Sequence, residues 1–147
     1  MSLNQKINED LKDAMKAKDS LRVSCLRMLK TSIKNKQIEK MHELEDKEIE
    51  AIVSSLVRKG KEAIKEFRNG GREELAAKEE QEIGIFYEYL PRQLTPEEIE
   101  KALREVISEL SATSPKDMGK VMKTAMARMS GQAQGKEVSA IAGRLLG

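Results

Sequence analysis

Cys25 and His42, the only cysteine and the only histidine of this 147-residue chain, are the first side chains to examine for chemistry. A hydrolytic triad or a cysteine–histidine pair could draw only on His42, which lies in a polar stretch beside Glu43. With no second thiol there is no internal disulfide and no zinc-type pair, so Cys25 is expected to be buried and inert. Neither a GxxxxGK[ST] nor a GxGxxG loop occurs, and no carboxylate is isolated in an apolar setting that would raise its pKa. Catalysis by this chain alone is not expected, nor is a metal or a cofactor.

Basic side chains offer more. Arg27, Lys30 and Lys34 recur at steps of three and four, with no acidic residue between Arg22 and Gln37 to neutralise them, which makes a positive ridge on one helix. A plain solvated face is the alternative reading. A second basic group, Lys120, Lys123, Arg128, Lys136 and Arg144, surrounds the turn GQAQGK from Gly131 to Lys136. Its amides and Lys136 could hold a phosphate where a helix begins, while the competing reading is a helix–helix turn that needs glycine for its backbone. Arg58, Lys61, Lys65, Arg68 and Arg72 form a third series, followed by Glu73, Glu74, Glu79, Glu80, Glu82 and Glu88. An antiparallel hairpin would lay those bases and acids together and neutralise both. Tyr87 and Tyr89 either present rings to nucleic-acid bases or pack a junction beside Pro91.

The bulk charge of +2 is too balanced to announce nucleic-acid binding, so any basic site must be local. Residues 1–40 carry ten basic against five acidic side chains, residues 41–90 eight against thirteen, and residues 111–147 six against two. Positive charge therefore gathers towards both ends.

The elements that must position these side chains are all helical. With two Phe, two Tyr and no Trp, burial must come from Leu, Ile, Val, Met and Ala, and no convincing strand is present. Ser2 with Gln5 opens a first helix carrying Leu3, Ile7, Leu11 and Ala14, which ends near Lys16. Asp19 or Ser20 caps a second, with Val23, Leu26, Leu29 and Ile33 inward, running to about Ile38. Asp46 is expected to cap a third, with Ile49, Val53, Leu56, Ile64 and Phe67 inward. The glycine pair Gly70–Gly71 separates it from a fourth carrying Leu75, Ile83, Phe86 and Leu90. Pro91 stops that helix, so YLPRQL reads as a hinge. Thr95, Pro96 and Glu98 then open a fifth helix, Ser114, Pro115 and Asp117 a sixth, and Val138, Ile141, Leu145 and Leu146 belong to a seventh. Met118, Met122, Met126 and Met129 share one face of the sixth helix and are expected to fill core. The expected fold is all-α: an N-terminal helical bundle of about four helices over 1–90, then a small C-terminal three-helix domain over 91–147. No apolar run nears the roughly 20 residues that span a bilayer, and the N-terminus lacks the apolar middle of a secretory signal. A soluble cytoplasmic protein with no membrane partner is the default.

RVSCLRMLKTSIKN, EFRNGGREEL, YLPRQLTPEEI, PKDMGKVMKTAM and GKEVSAIAGRLL together resemble the GatB/YqeY family over nearly the whole chain. In its free-standing form this family is similar to the C-terminal tail of the B subunit of tRNA-dependent amidotransferases. The resemblance implies a two-part helical fold, with tRNA or another structured RNA as partner. It also implies a synthetase or amidotransferase protein as an alternative partner, and a glutamine-dependent carbon–nitrogen ligase as the activity attached to the family label. Arg27, Lys30, Lys34, Lys120, Lys123, Arg128, Lys136 and Arg144 are the expected RNA-binding residues. Gln134 stands where the family pattern often has an acid.

Overall fold

The computed structural model describes every residue from Met1 to Gly147 and contains seven α-helices and no strand. In chain order these are α1 (Leu3–Lys16), α2 (Ser20–Lys40), α3 (Asp46–Asn69), α4 (Glu73–Tyr87), α5 (Pro96–Leu110), α6 (Met118–Arg128) and α7 (Gly135–Leu146). A 3-10 turn, Pro115–Asp117, leads into α6. The chain falls into two compact units, Met1–Leu90 and Pro91–Gly147.

Local chemistry sets the helix ends. The Ser2 hydroxyl accepts from the Gln5 amide at 3.2 Å while Gln5 Oε1 accepts from the Ser2 amide at 3.1 Å. Thr95 and Glu98 repeat this reciprocal cap at 3.2 and 3.0 Å. At the end of α3, Gly71 takes φ 73°, and the Arg72 amide reaches back to the Phe67 carbonyl at 2.7 Å, a glycine-terminated stop. Asp46 does not cap α3 as the sequence suggests. Glu45 precedes the helix, its amide donating to Glu48 Oε1 at 3.1 Å, and Asp46 Oδ1 instead accepts from the Leu3 amide at 3.0 Å, tying the start of α3 to the start of α1. The helix also extends α2 two residues past Ile38, ending at Met41 in the left-handed region.

In the first unit, Ile7 of α1, Cys25, Leu26, Leu29 and Ile33 of α2, Ile49, Val53 and Val57 of α3, and Ile85, Phe86 and Tyr89 make one buried cluster. The 24-residue α3 is about 36 Å long and outruns it. Its second half packs on α4 alone, through Ile64, Ala76 and Ile83 with Phe67 and Tyr87. Gly60 lets the two helices close up. In the second unit Ile99, Leu103 and Val106 of α5, Val121, Ala125 and Met129 beside α6, and Val138, Ala142 and Leu146 of α7 form the core. Met118, Met122 and Met126 pack against it from its edge, so the methionine face is core.

Candidate nucleic-acid interface

Arg27, Lys30 and Lys34 are exposed along one side of α2, flanking the buried stripe of Leu26, Leu29 and Ile33 about 100° round the helix. Seven residues at the helical rise spread them over about 10 Å. None makes an ion pair. Arg27 is unusual in this: of nine arginines it alone has no carboxylate partner. Lys18, at φ 58° in the α1–α2 connection, joins Arg27 in lining a groove of about 570 Å³ with Met15 and Val23. Sequence spacing missed Lys18, because only the turn brings it beside Arg27.

Lys36, Lys40, Lys47 and Lys59 were also missed. They converge from α2 and α3 on a groove of about 500 Å³ floored by Ile52 and Leu56. Lys40 is held there by Glu48 at 2.8 Å, and that hydrogen bond, with the Glu45 amide, keeps the Glu48 carboxyl below its ordinary range. The readable signal was Lys36 and Lys40 one turn apart; Lys47 and Lys59 reach the same groove only through helix pairing.

In the second unit the five expected cations separate into two groups. Lys120, Lys123 and Lys136 are exposed and unpaired. Arg128 makes a two-pronged bond to Glu109 of α5 at 3.2 and 2.6 Å, which raises its pKa and lowers that of Glu109. Arg128 projects roughly 140° around α6 from Lys123 and reaches across to α5. Arg144 donates to Glu100 at 3.0 Å. Both pairs are exposed and hold their arginines weakly.

The GQAQGK turn is built as a connector. Gly131 adopts φ 73°, its carbonyl accepts from Gln93 Nε2 at 2.8 Å, and the Gln132 carbonyl accepts from the Leu94 amide at 2.8 Å. The glycine is thus needed for backbone shape. Glu137 stands in the first turn of α7 beside Lys136 and already supplies negative charge to that helix end. Gln134, which precedes α7, is buried.

Neither tyrosine is free to stack on a base. Tyr89 is 2% exposed and donates its hydroxyl to Asp10 Oδ2 at 2.6 Å, with Lys6 Nζ 5.2 Å from its ring. Tyr87 is half-buried under Lys61. The third basic series is neutralised mainly at one end, where Arg68 binds Glu73 and Glu80 of α4. Arg58 pairs within α3 with Glu62 at 3.5 Å, and Arg72 bonds to Glu74 at 3.2 Å. Cys25 is buried, and loss of water around it pushes its thiol up to about 11. No helix is long and apolar enough to cross a membrane.

These features define an all-helical module with unpaired basic faces. The chain belongs to the YqeY-like family, whose model, described as Yqey-like protein, matches residues 4–146. It is 34% identical over 107 residues to Altered inheritance of mitochondria protein 41, mitochondrial, of Vanderwaltozyma polyspora, covering 71% of this chain and 58% of that protein. The proteins of the same name from Lachancea thermotolerans and Kluyveromyces lactis are each 34% identical, covering 74% of this chain and 60% of theirs. The chain thus spans about three fifths of the length of these curated relatives. Their names overturn the cytoplasmic expectation, since the relatives are mitochondrial proteins. That expectation rested on missing apolar segments, and folded surfaces in any aqueous compartment face the same demands.

Proposed function

We propose that this chain binds structured RNA, with tRNA the first to test, through phosphate contacts from Arg27, Lys30 and Lys34 on α2 and from Lys120, Lys123 and Lys136 in the second unit. Arg128, Lys136 and Arg144 belong to the same basic set, with Arg128 and Arg144 released from exposed acidic partners when phosphate competes. The observation that carries the reading is the unpaired ridge on α2: eight arginines elsewhere are answered by carboxylates and Arg27 is not. Maintaining three uncompensated cations within about 10 Å raises their mutual repulsion, which a polyanion relieves. Sequence-independent phosphate contacts of this kind position a partner and leave chemistry to others. The names of the relatives make mitochondrial RNA the natural source.

Each phosphate contact releases counterions, so the slope of log affinity against log salt measures their number, at about 0.7 to 0.9 per contact. Changing Arg27, Lys30 and Lys34 together to Gln should flatten that slope by about 2 to 3 and weaken tRNA binding about a hundredfold at 0.1 M salt. An unchanged slope in filter binding would refute the contacts.

A second reading, docking onto a synthetase or amidotransferase protein, draws on Met28, Ile38 and Met41, which are 46%, 68% and 89% exposed on or just after α2. Complex formation that survives nuclease treatment would favour it.

A further inference from the structure

The groove of about 500 Å³ between α2 and α3 lies roughly 150° round α2 from Arg27, Lys30 and Lys34, so it is a separate surface from that ridge. On α3, Lys47, Ala51, Ser55 and Lys59 follow at four-residue steps and form a wall about 18 Å long. Lys36 and Lys40 of α2 stand on the other wall, and the 2.8 Å contact of Lys40 with Glu48 marks the end nearest the α2–α3 connection. Short side chains at Ala51 and Ser55 leave the middle open above half-buried Ile52 and Leu56. Those two also pack on the buried cluster of the first unit, which holds them in place. Most of the exposed lining is apolar although four of its residues are lysines, because lysine stems are hydrocarbon and only their tips are charged. Glu48 is the one acid in the lining and is taken by Lys40. Lys36 keeps a loose 3.5 Å contact with exposed Glu39, and Lys47 and Lys59 make no ion pair.

An occupant must cover an apolar floor and answer cations along both walls. Nucleic-acid phosphates would satisfy the ammonium groups but leave Ile52 and Leu56 in water. An acyl chain would cover the floor, yet it carries charge at one end only, whereas Lys47 and Lys59 stand at opposite ends of the groove. A helix of about three turns matches the 18 Å length, brings apolar side chains to one stripe every three or four residues, and can carry carboxylates on both flanks of that stripe. We infer that the α2–α3 groove docks an acidic amphipathic helix of a partner protein, its apolar stripe on Ile52 and Leu56 and its carboxylates on Lys36, Lys47 and Lys59. Charge complementarity selects the acidic partner, since a basic helix would meet three lysines that no lining acid neutralises. The surface shares no residue with the RNA-binding ridge, so either can fail alone.

The test titrates the full-length chain with a labelled peptide of about 15 residues, stapled into a helix, with leucines on one stripe and glutamates on its flanks. Control peptides scatter the same leucines round the helix, replace them with Ala, or replace the glutamates with Lys. Binding is followed by fluorescence polarisation and by the methyl NMR signals of Ile52 and Leu56. The parent peptide should bind and move both sets of methyls, and each control should bind at least about tenfold more weakly. Ala51→Glu puts bulk and a like charge into the groove at an exposed position that a helix tolerates, so it should weaken the parent peptide about tenfold with thermal unfolding unchanged. Lys47→Gln with Lys59→Gln should weaken it about fivefold at low ionic strength and less at high. Lys47→Glu with Lys59→Glu should reverse the preference and favour the Lys peptide. Equal binding of the scattered-leucine peptide, unmoved Ile52 and Leu56 signals, or an Ala51→Glu variant as tight as wild type would overturn the inference. So would phosphatidylglycerol vesicles moving those methyls when the peptide does not, or an about tenfold loss of tRNA affinity in Ala51→Glu, which would assign the groove to a membrane or to RNA. A dimer of the chain alone in sedimentation that Ala51→Glu dissociates would make a second copy the occupant and overturn it as well.

Discussion

Replacing Gly60 by Ala tests the packing that fixes α3 on α4. Gly60 is buried in the middle of α3, and a Cβ there would come inside 3.0 Å of Ile83 Cγ2, closer than real Cβ contacts, and 3.3 Å from Glu79 Oε1. Glu79 can swing away, but Ile83 is 9% exposed and its Cγ2 methyl is fixed by β-branching. Two terms oppose each other. Helix propensity favours Ala over Gly by about 1 kcal/mol, whereas overpacking a filled site costs about 1 to 3 kcal/mol. Net destabilisation of about 1 kcal/mol is expected, reaching 2 kcal/mol if the helices cannot separate. Gly84→Ala on α4 is the control, because that glycine is exposed and nothing lies within 4 Å of its added Cβ. It should stabilise by up to about 1 kcal/mol. The difference between the two variants, read from urea unfolding at constant m-value, isolates the clash. Ile83→Leu removes the offending β-methyl, so the Gly60→Ala/Ile83→Leu double variant should recover most of the loss, with a coupling of about 1 kcal/mol or more. Gly60→Ala as stable as Gly84→Ala, or no coupling to Ile83, would refute the close approach.

Three further outcomes follow from individual groups. Tyr89→Phe removes the bond to Asp10 and should cost about 1 to 2 kcal/mol in thermal unfolding. Burial and then the Asp10 hydrogen bond hold the Tyr89 pKa above its ordinary 10.0, so its contribution is whole below pH 10 and fades above it, and the wild type and Phe variant should converge in alkali. Glu98 is held at about 2, against an ordinary 4.5, first by Arg92 and then by the Thr95 amide. Its contribution is therefore complete above about pH 4.5 and lost as pH falls towards 2, and the gap between Glu98→Gln and wild type in urea midpoints should close across that window. Cys25, buried and titrating near 11, should resist a disulfide thiol reagent at pH 8 and react at once in denaturant, and fast native labelling would contradict its place in the core.

Arg27, Lys30 and Lys34 were legible from spacing alone, because a helix turns three- and four-residue steps into one face. The caps at Ser2 and Thr95, the stop at Gly71 and the methionine face of α6 were legible for the same reason: each depends on residues within one or two turns. What the sequence could not rank was which cations stay free. Arg128 and Arg144 looked equal to Lys120 and Lys123, yet they reach Glu109 and Glu100, which lie 19 and 44 positions away. Asp46 looked like a cap and bonds instead to Leu3, 43 positions away, and Tyr89 finds Asp10 across 79.

Hydrogen bonds and apolar periods within a turn are written in the order of the residues, so helix type, ends and faces were determined by the sequence itself. Which helices approach closely, and so which groups meet, depends on side-chain volumes from distant segments settling together. The closeness permitted by Gly60 and the basic surround of Arg27 that includes Lys18 were therefore decided only by the tertiary structure.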